Sequence, residues 1–278
     1  MAALSGPVDA ERLARGMDEL RRLGFEPVAA ANLGSRTGLF AGSDAERLAA
    51  FHRLAADPSL AAIFFARGGH GVLRVLPGID WELLAGRPRA YVGYSDLTPF
   101  LLQVVARLGL VAFHGPMVAR DLARGLDETE RSSLLGALAG EPPPVPLEDW
   151  AVAGDVEGPL LGGCLSLLSS TIGTPYFPDL EGAILFWEDV DEPLYRLDRM
   201  LTHLRLSGSL AGIAGMAVGA APAGDGGDSA AWPAVLRDAA GGRPAAWGVP
   251  SGHGTPNLTL PLGRPARLDV AGRHLVFP

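Results

Sequence analysis

Short apolar runs alternate with segments of helical period through the first half of the chain, and this alternation does most to restrict the fold. Strand-like runs at Ala2 to Ser5, Val28 to Ala31, Ala61 to Ala66, Arg89 to Tyr94 and Leu110 to Phe113 are separated by amphipathic stretches. A parallel sheet covered by helices satisfies such a pattern, because parallel strands need a long crossover between them. Asp9 predicts the cap of a first helix whose Leu13, Met17 and Leu20 share one face before Gly24 stops it. Ser43 with Glu46 predicts a capping box for a second helix through Leu54. A third helix is expected from Leu97 to Leu108.

The cluster Pro142-Pro143-Pro144 with Pro146, after a helix ending near Gly140, reads as a linker. The expected organisation is an N-terminal domain over residues 1–141, a linker over 142–157 and a C-terminal domain over 158–278. The second domain is expected to hold helices near Cys164 to Ile172, Pro193 to Leu206 and Ala231 to Ala239. Its strands are placed at Ala183 to Trp187, Ile213 to Val218 and Ala245 to Val249, with a glycine-rich loop around Gly224 to Gly227. Three short strands, Leu258 to Leu262, Ala266 to Val270 and His274 to Phe277, close the chain as an antiparallel tail. The fold class is therefore α/β: an N-terminal parallel-sheet domain of Rossmann/flavodoxin-like type, and a smaller C-terminal α/β domain ending in antiparallel strands.

A length of 278 residues, 48% of them hydrophobic, is enough to bury a full core. The net charge of -8, with arginines spread along the chain, argues against a nucleic-acid partner and against a membrane-surface patch. A single cysteine, Cys164, excludes an internal disulfide and a thiolate metal site. The six histidines show no metal-ligand spacing, so a metal is not expected. The first residues lack the basic lead of a signal peptide, and no apolar run reaches the ~20 residues of a membrane span, so a cytoplasmic setting is expected.

Open α/β sheets bind ligands at the carboxyl ends of their strands, which singles out four places. They are Arg67 through Gly71, Tyr94 through Asp96, Glu188-Asp189, and Ser251 through Gly254. Ser95, His253 and Glu188 supply a hydroxyl, an imidazole and a carboxylate. The imidazole can take the proton of a poor nucleophile and return it to a leaving amine, while the carboxylate fixes the useful tautomer. Each has a plainer reading: Ser95 as a helix cap, Glu188 as a capping or salt-bridged carboxylate, His253 as a turn residue between glycines. Gly68-Gly69-His70-Gly71 fails the dinucleotide and P-loop patterns. It reads either as a tight turn or as one donor of an oxyanion hole, with the Asp96 amide as the other.

Taken together these segments resemble the LD-carboxypeptidase family of serine peptidases, which includes microcin-immunity peptidases. The resemblance is carried by Ala66-Arg67-Gly68-Gly69-His70-Gly71, Val92-Gly93-Tyr94-Ser95-Asp96, Phe113-His114-Gly115-Pro116, Gly158 to Gly163, Ile172-Gly173-Thr174-Pro175, Leu185 to Val190, Tyr195 to Met200 and Gly252-His253-Gly254. It implies a nucleophile domain and a smaller C-terminal domain sharing a Ser95-Glu188-His253 triad, with Gly69 and Asp96 amides as oxyanion donors. It also implies substrate contacts by Arg67, His70, Tyr94 and His114.

The implied activity is hydrolysis of an L,D-amide, releasing the terminal D-alanine of a murein tetrapeptide in cytoplasmic wall recycling. The implied partners are a small muropeptide substrate and a second copy of the chain, with no cofactor. The alternatives are a microcin-immunity-type peptidase acting on peptidyl-adenylate-like conjugates, with Trp187 or Trp247 stacking on a base, and a non-catalytic ligand-binding relative. The chain departs from the family in three ways. Its lead before Ser5-Gly6-Pro7 is short, which predicts a truncated or misassigned start. His70 stands where an aromatic is usual, and Cys164 stands where asparagine is usual; Cys164 is expected to pack in the core.

Overall fold

The computed structural model describes residues 1–219 and 231–278. Its first sheet holds β1 (Ala62–Phe64), β2 (Ala90–Gly93), β3 (Ala112–His114) and β10 (Leu260–Leu262) in that order. β1, β2 and β3 run parallel, and β10 closes the edge antiparallel to β3. The expected strand at Ala2 to Ser5 is reduced to a parallel bridge between Ala2 and Phe65. Val28 to Ala31 is not a strand, although Ala30 N–H donates to the Met1 carbonyl at 3.0 Å.

The second sheet contains eight strands. Its centre is β6 (Val156–Cys164), β7 (Ile184–Glu188), β8 (Gly215–Val218) and β9 (Ala245–Trp247), all parallel. β5 (Asp149–Val152) pairs antiparallel with β9, while β11 (Pro265–Asp269), β12 (His274–Val276) and β4 (Val145–Pro146) extend the other edge antiparallel. Two expectations change here. Residues 142–157 are not a bare linker, because β4, β5 and the start of β6 lie within them. The three closing strands do not stay together, because β10 returns to the first sheet while β11 and β12 extend the second. The loop expected around Gly224 to Gly227 lies outside the described residues.

Helix boundaries follow local chemistry. Asp9 caps α1 (Ala10–Arg22) by accepting from Arg12 N–H, and the Ser43–Glu46 capping box opens α2 (Asp44–Ala56). Two short helices, α3 (Val72–Val75) and α4 (Trp81–Ala85), precede α5 (Thr98–Leu108). A π-helical turn occupies Val118–Leu122, and α6 (Glu128–Ala139) starts with a second capping box, Asp127 with Glu130. Beyond it come α7 (Leu165–Ser170), α8 (Leu194–Leu206) and α9 (Trp232–Ala240).

The continuous apolar run of β7 is explained by its burial along its whole length between layers. Phe51, Phe65, Tyr91 and Phe100 form an aromatic cluster in the first core, with ring centroids 5.3–6.5 Å apart. Leu160, Ile184 and Phe186 of the second sheet join that same core. The two sheets are thus packed through shared apolar side chains, which fixes the carboxyl ends of β2 and β7 relative to each other.

Candidate active site

Ser95 follows β2 and begins a short 3-10 turn, Ser95–Leu97, that leads into α5. Its φ of 62° is left-handed, a conformation that costs a non-glycine residue about 1–2 kcal/mol. Such strain is typical where a strand-to-helix turn thrusts a nucleophile above a sheet. Glu188 is the last residue of β7 and is buried; His253 lies in the loop after β9. The three side chains meet. His253 Nε2 is 3.0 Å from Ser95 Oγ, and His253 Nδ1 is 2.8 Å from Glu188 Oε2. The backbone N–H of His253 also donates to Glu188 Oε2, at 3.0 Å.

The loop carrying His253 is held by its own polar bonds. Gly252 N–H donates to Asn257 Oδ1 at 2.8 Å, Asn257 N–H to Glu130 Oε1 at 2.8 Å, and Ser251 Oγ–H to the Leu258 carbonyl at 2.7 Å. Burial is the largest influence on Glu188 and pushes its pKa up. The hydrogen bonds and charge of His253 outweigh burial, so the carboxyl lies below its ordinary value. Glu188 is therefore ionised at neutral pH, as an orienting carboxylate must be.

Gly68 crowds the serine: a Cβ on it would lie 3.2 Å from Ser95 Oγ and 3.5 Å from the Asp96 nitrogen. The Gly68 carbonyl accepts from Gly6 N–H at 3.1 Å. In a planar trans peptide the N–H points opposite to the carbonyl, so the Gly69 N–H points away from Gly6. Gly68, Gly69 and Ser95 line one cleft of about 630 Å³. The Asp96 N–H sits in the first turn after the strand, where no intrahelical acceptor exists. Its side chain is engaged elsewhere, since Asp96 Oδ2 accepts from Val72 N–H at 2.9 Å.

The expected substrate contacts divide. Arg67 lines the cleft, and its Nη1 donates to the Pro7 carbonyl at 2.9 Å. His70 is exposed and faces the Phe40 ring at 5.7 Å rather than the cleft. Tyr94 and His114 are fully buried, so neither presents a surface to substrate. Tyr94 instead supports the imidazole: its ring lies 5.1 Å from that of His253 at 74°, and its hydroxyl donates to Asp121 Oδ1 at 3.3 Å. His114 packs against Phe186 at 5.0 Å, and burial lowers its pKa to about 4, so it is neutral near pH 7.

Trp187 is buried against Trp232 at 5.5 Å, which removes it as a base-stacking platform. Cys164 is buried with its thiol pushed up by desolvation, and its Sγ lies 3.3 Å from Ser166 Oγ. Arg120 was not legible as a site residue. It lines the cleft, and its Nη2 donates to the His253 carbonyl at 3.0 Å. An exposed arginine in an irregular turn leaves no periodic signal.

Among the described residues no helix is long and apolar enough to cross a membrane. The LD-carboxypeptidase N-terminal domain family matches residues 1–115, and the LD-carboxypeptidase C-terminal domain family matches residues 157–268. A probable murein peptide carboxypeptidase of Bacillus subtilis (strain 168) is 36% identical over 288 residues, covering 99% of this chain and 89% of the relative. A murein tetrapeptide carboxypeptidase of Pseudomonas aeruginosa is 33% identical over 251 residues, covering 84% of this chain and 81% of the relative. The crystal structure of a muramoyltetrapeptide carboxypeptidase from Oxalobacter formigenes superposes with a TM-score of 0.88 at 31% identity, covering 100% of this chain and 99% of the other.

Proposed function

The chain belongs to the LD-carboxypeptidase family, and on that premise we propose that it is a serine carboxypeptidase releasing the terminal D-alanine of murein tetrapeptides. In this reading it works in the cytoplasm, in wall recycling, as a homodimer on small muropeptides. The observation that carries the chemistry is the unbroken relay from Ser95 Oγ through His253 to Glu188. Relatives described as murein peptide and muramoyltetrapeptide carboxypeptidases support the substrate class.

His253 Nε2 takes the hydroxyl proton as Ser95 Oγ bonds to the scissile carbonyl carbon. The carbonyl π pair moves onto oxygen, and the N–H groups of Gly69 and Asp96 stabilise that charge. When the oxyanion collapses, the carbon–nitrogen bond breaks and the imidazolium gives its proton to the departing amine of the D-amino acid. Water then enters with His253 as base, and the same steps return Ser95 and release the shortened peptide. Glu188 keeps the Nδ1–H tautomer and offsets the positive imidazole in both halves.

Of the two aromatic surfaces that the peptidyl-adenylate alternative calls for, Trp187 is buried, and Trp247, half-buried at the end of β9, does not line the cleft beside Ser95. A merely ligand-binding relative has no use for a strained serine bonded to an oriented imidazole. The test is mass-spectrometric detection of D-alanine from a tetrapeptide ending in that residue, comparing the native chain with Ser95→Ala. Release is expected only from the native chain, and equal release by both removes the mechanism.

A further inference from the structure

A second cavity, of about 250 Å³, is lined by Arg12, Arg15, Arg120, Ala123 and Arg124. Arg12 and Arg120 also line the cleft that contains Ser95 and His253, so the smaller space is an annex of the larger. Two elements supply its arginines: α1 carries Arg12 and Arg15, while the π-helical turn carries Arg120 and leads to Arg124. Their close crossing depends on Gly16, since a Cβ there would lie 1.9 Å from the Val118 carbonyl oxygen. Turns of π geometry are rare and concentrate at functional sites. Here the turn and the glycine together gather four guanidinium groups around one small space.

Internal pairing accounts for only half of that charge. Arg15 meets Glu11 at 3.3 Å and Arg124 meets Glu130 at 2.5 Å. The Asp9 carboxylate caps the Arg12 backbone N–H at 2.8 Å, but among the described residues neither the Arg12 nor the Arg120 guanidinium has a carboxylate within 4.0 Å. No acidic residue lines the annex, although the chain holds 31 Asp and Glu and carries a net charge of -8. Like charges held together without compensation are unfavourable, and guanidinium groups so arranged match carboxylates in bidentate fashion.

A carboxypeptidase substrate brings one carboxylate to the scissile end, and Arg67 and Arg120 beside Ser95 and His253 are enough for it. The Arg12 guanidinium is then in excess, and Arg15 beside it is held only by an exposed pair with Glu11, which a bound carboxylate can replace at little cost. A leaving D-alanine has no further acid, so a second anion must belong to the acyl part of the peptide. We propose that the annex is a subsite for a second carboxylate, carried by the acyl portion of the substrate and bound by Arg12 and Arg15. This rests on the carboxypeptidase reading given above.

The test uses two tetrapeptides ending in D-alanine, alike except that an internal side-chain carboxylate is free in one and amidated in the other. Native protein is compared with the double variant Arg12→Gln/Arg15→Gln, whose two sites are exposed. A charge-assisted contact sets the expected effect at about ten- to a hundred-fold in KM. The native enzyme is expected to favour the free acid by that factor, and the variant to lose the preference through a raised KM for the acid; a variant that keeps the preference overturns the subsite. Equal KM for both peptides in the native enzyme overturns the subsite and leaves the carboxypeptidase reading intact.

Absence of turnover on either peptide overturns the carboxypeptidase reading instead. Calorimetric titration with tricarballylate then judges the annex without catalysis. Binding by the native protein, at least ten-fold weaker in the double variant, supports the subsite. Equal affinity in the two proteins, or tighter binding of inorganic phosphate than of tricarballylate, overturns it.

Discussion

Replacing Glu188 with Gln removes one charge and almost no volume, which makes it the sharpest probe of the proposed relay. Glu188 Oε2 accepts both the ring and the backbone N–H of His253, at 2.8 and 3.0 Å, while Oε1 is buried without a partner. If the Gln carbonyl takes the place of Oε2, its amide group fills the Oε1 position and has nothing to donate to. If the amide flips, its N–H groups face two donors and turn the imidazole toward the tautomer that cannot deprotonate Ser95. Both arrangements also lose the charge that offsets the imidazolium. At the observed 2.8 Å separation and an effective dielectric of about 20, that attraction is worth roughly 6 kcal/mol.

A barrier increase of about 4–5.5 kcal/mol corresponds to a fall of roughly 10³–10⁴ in kcat. KM should change by no more than a few-fold, since Glu188 does not line the main cleft. The assay is D-alanine release under saturating peptide, with fluorophosphonate labelling of Ser95 as a second reading of its nucleophilicity. Acid stability gives a third. The folded-state pKa of Glu188 lies below the unfolded value of about 4.5, so its stabilising contribution is complete above pH 4.5 and is lost as pH falls below it. Glu188→Gln should lack that acid-limb loss in urea unfolding. A kcat within ten-fold of native, in a variant that folds normally, would refute the assigned role.

Ser95→Ala is expected to abolish turnover and fluorophosphonate labelling while leaving the denaturation midpoint nearly unchanged; residual turnover above about one part in 10⁴ would contradict a covalent route. Gly252→Ala should cost at least 10² in kcat, because a Cβ there would lie 2.3 Å from Glu188 Cδ at a backbone φ of 107°; native kcat would show that the carboxylate can move freely. His114 binds its proton less readily when folded, with a pKa of about 4 against 6.5 unfolded. The unfolded chain thus holds more protons between those values, and stability should rise by up to about 3 kcal/mol from pH 4 to 6.5. Urea unfolding of His114→Gln should lose that slope, and an unchanged slope would assign it to another group.

The parts of this site that could be read from sequence are those whose chemistry is local. Ser43 and Glu46 announce a capping box by spacing alone, and β7 announces itself by the unbroken apolar run Ile184 to Trp187 that burial on both faces requires, ending at Glu188. Gly93-Tyr94-Ser95-Asp96 marks a strand-to-helix turn for the same reason, since the backbone there needs little beyond its neighbours. Spatial pairing is different in kind. Nothing near Tyr94 says that its ring will lie under His253 rather than in the cleft, and nothing near Leu260 says that β10 will leave its neighbours to close the first sheet.

The misjudged contacts share one cause. Tyr94 precedes Ser95 in the chain and His114 pairs with Gly93 across the sheet, yet both side chains turn into the core, where one supports the imidazole and the other packs on Phe186. Arg12 and Arg120 lie in unremarkable sequence and gain significance only when Gly16 lets α1 cross the π-helical turn. On the proposed reading, nucleophile chemistry is written near each residue assigned to it, whereas the proposed substrate selection depends on distant elements meeting. That division makes Gly16→Ala an informative control: it should disturb the annex through the Val118 crossing while leaving the bond from His253 to Ser95 to be formed by other segments. If this change lowered kcat on every peptide as strongly as Glu188→Gln, recognition and chemistry would have to be one mechanical unit, and the separation argued from the geometry would fail.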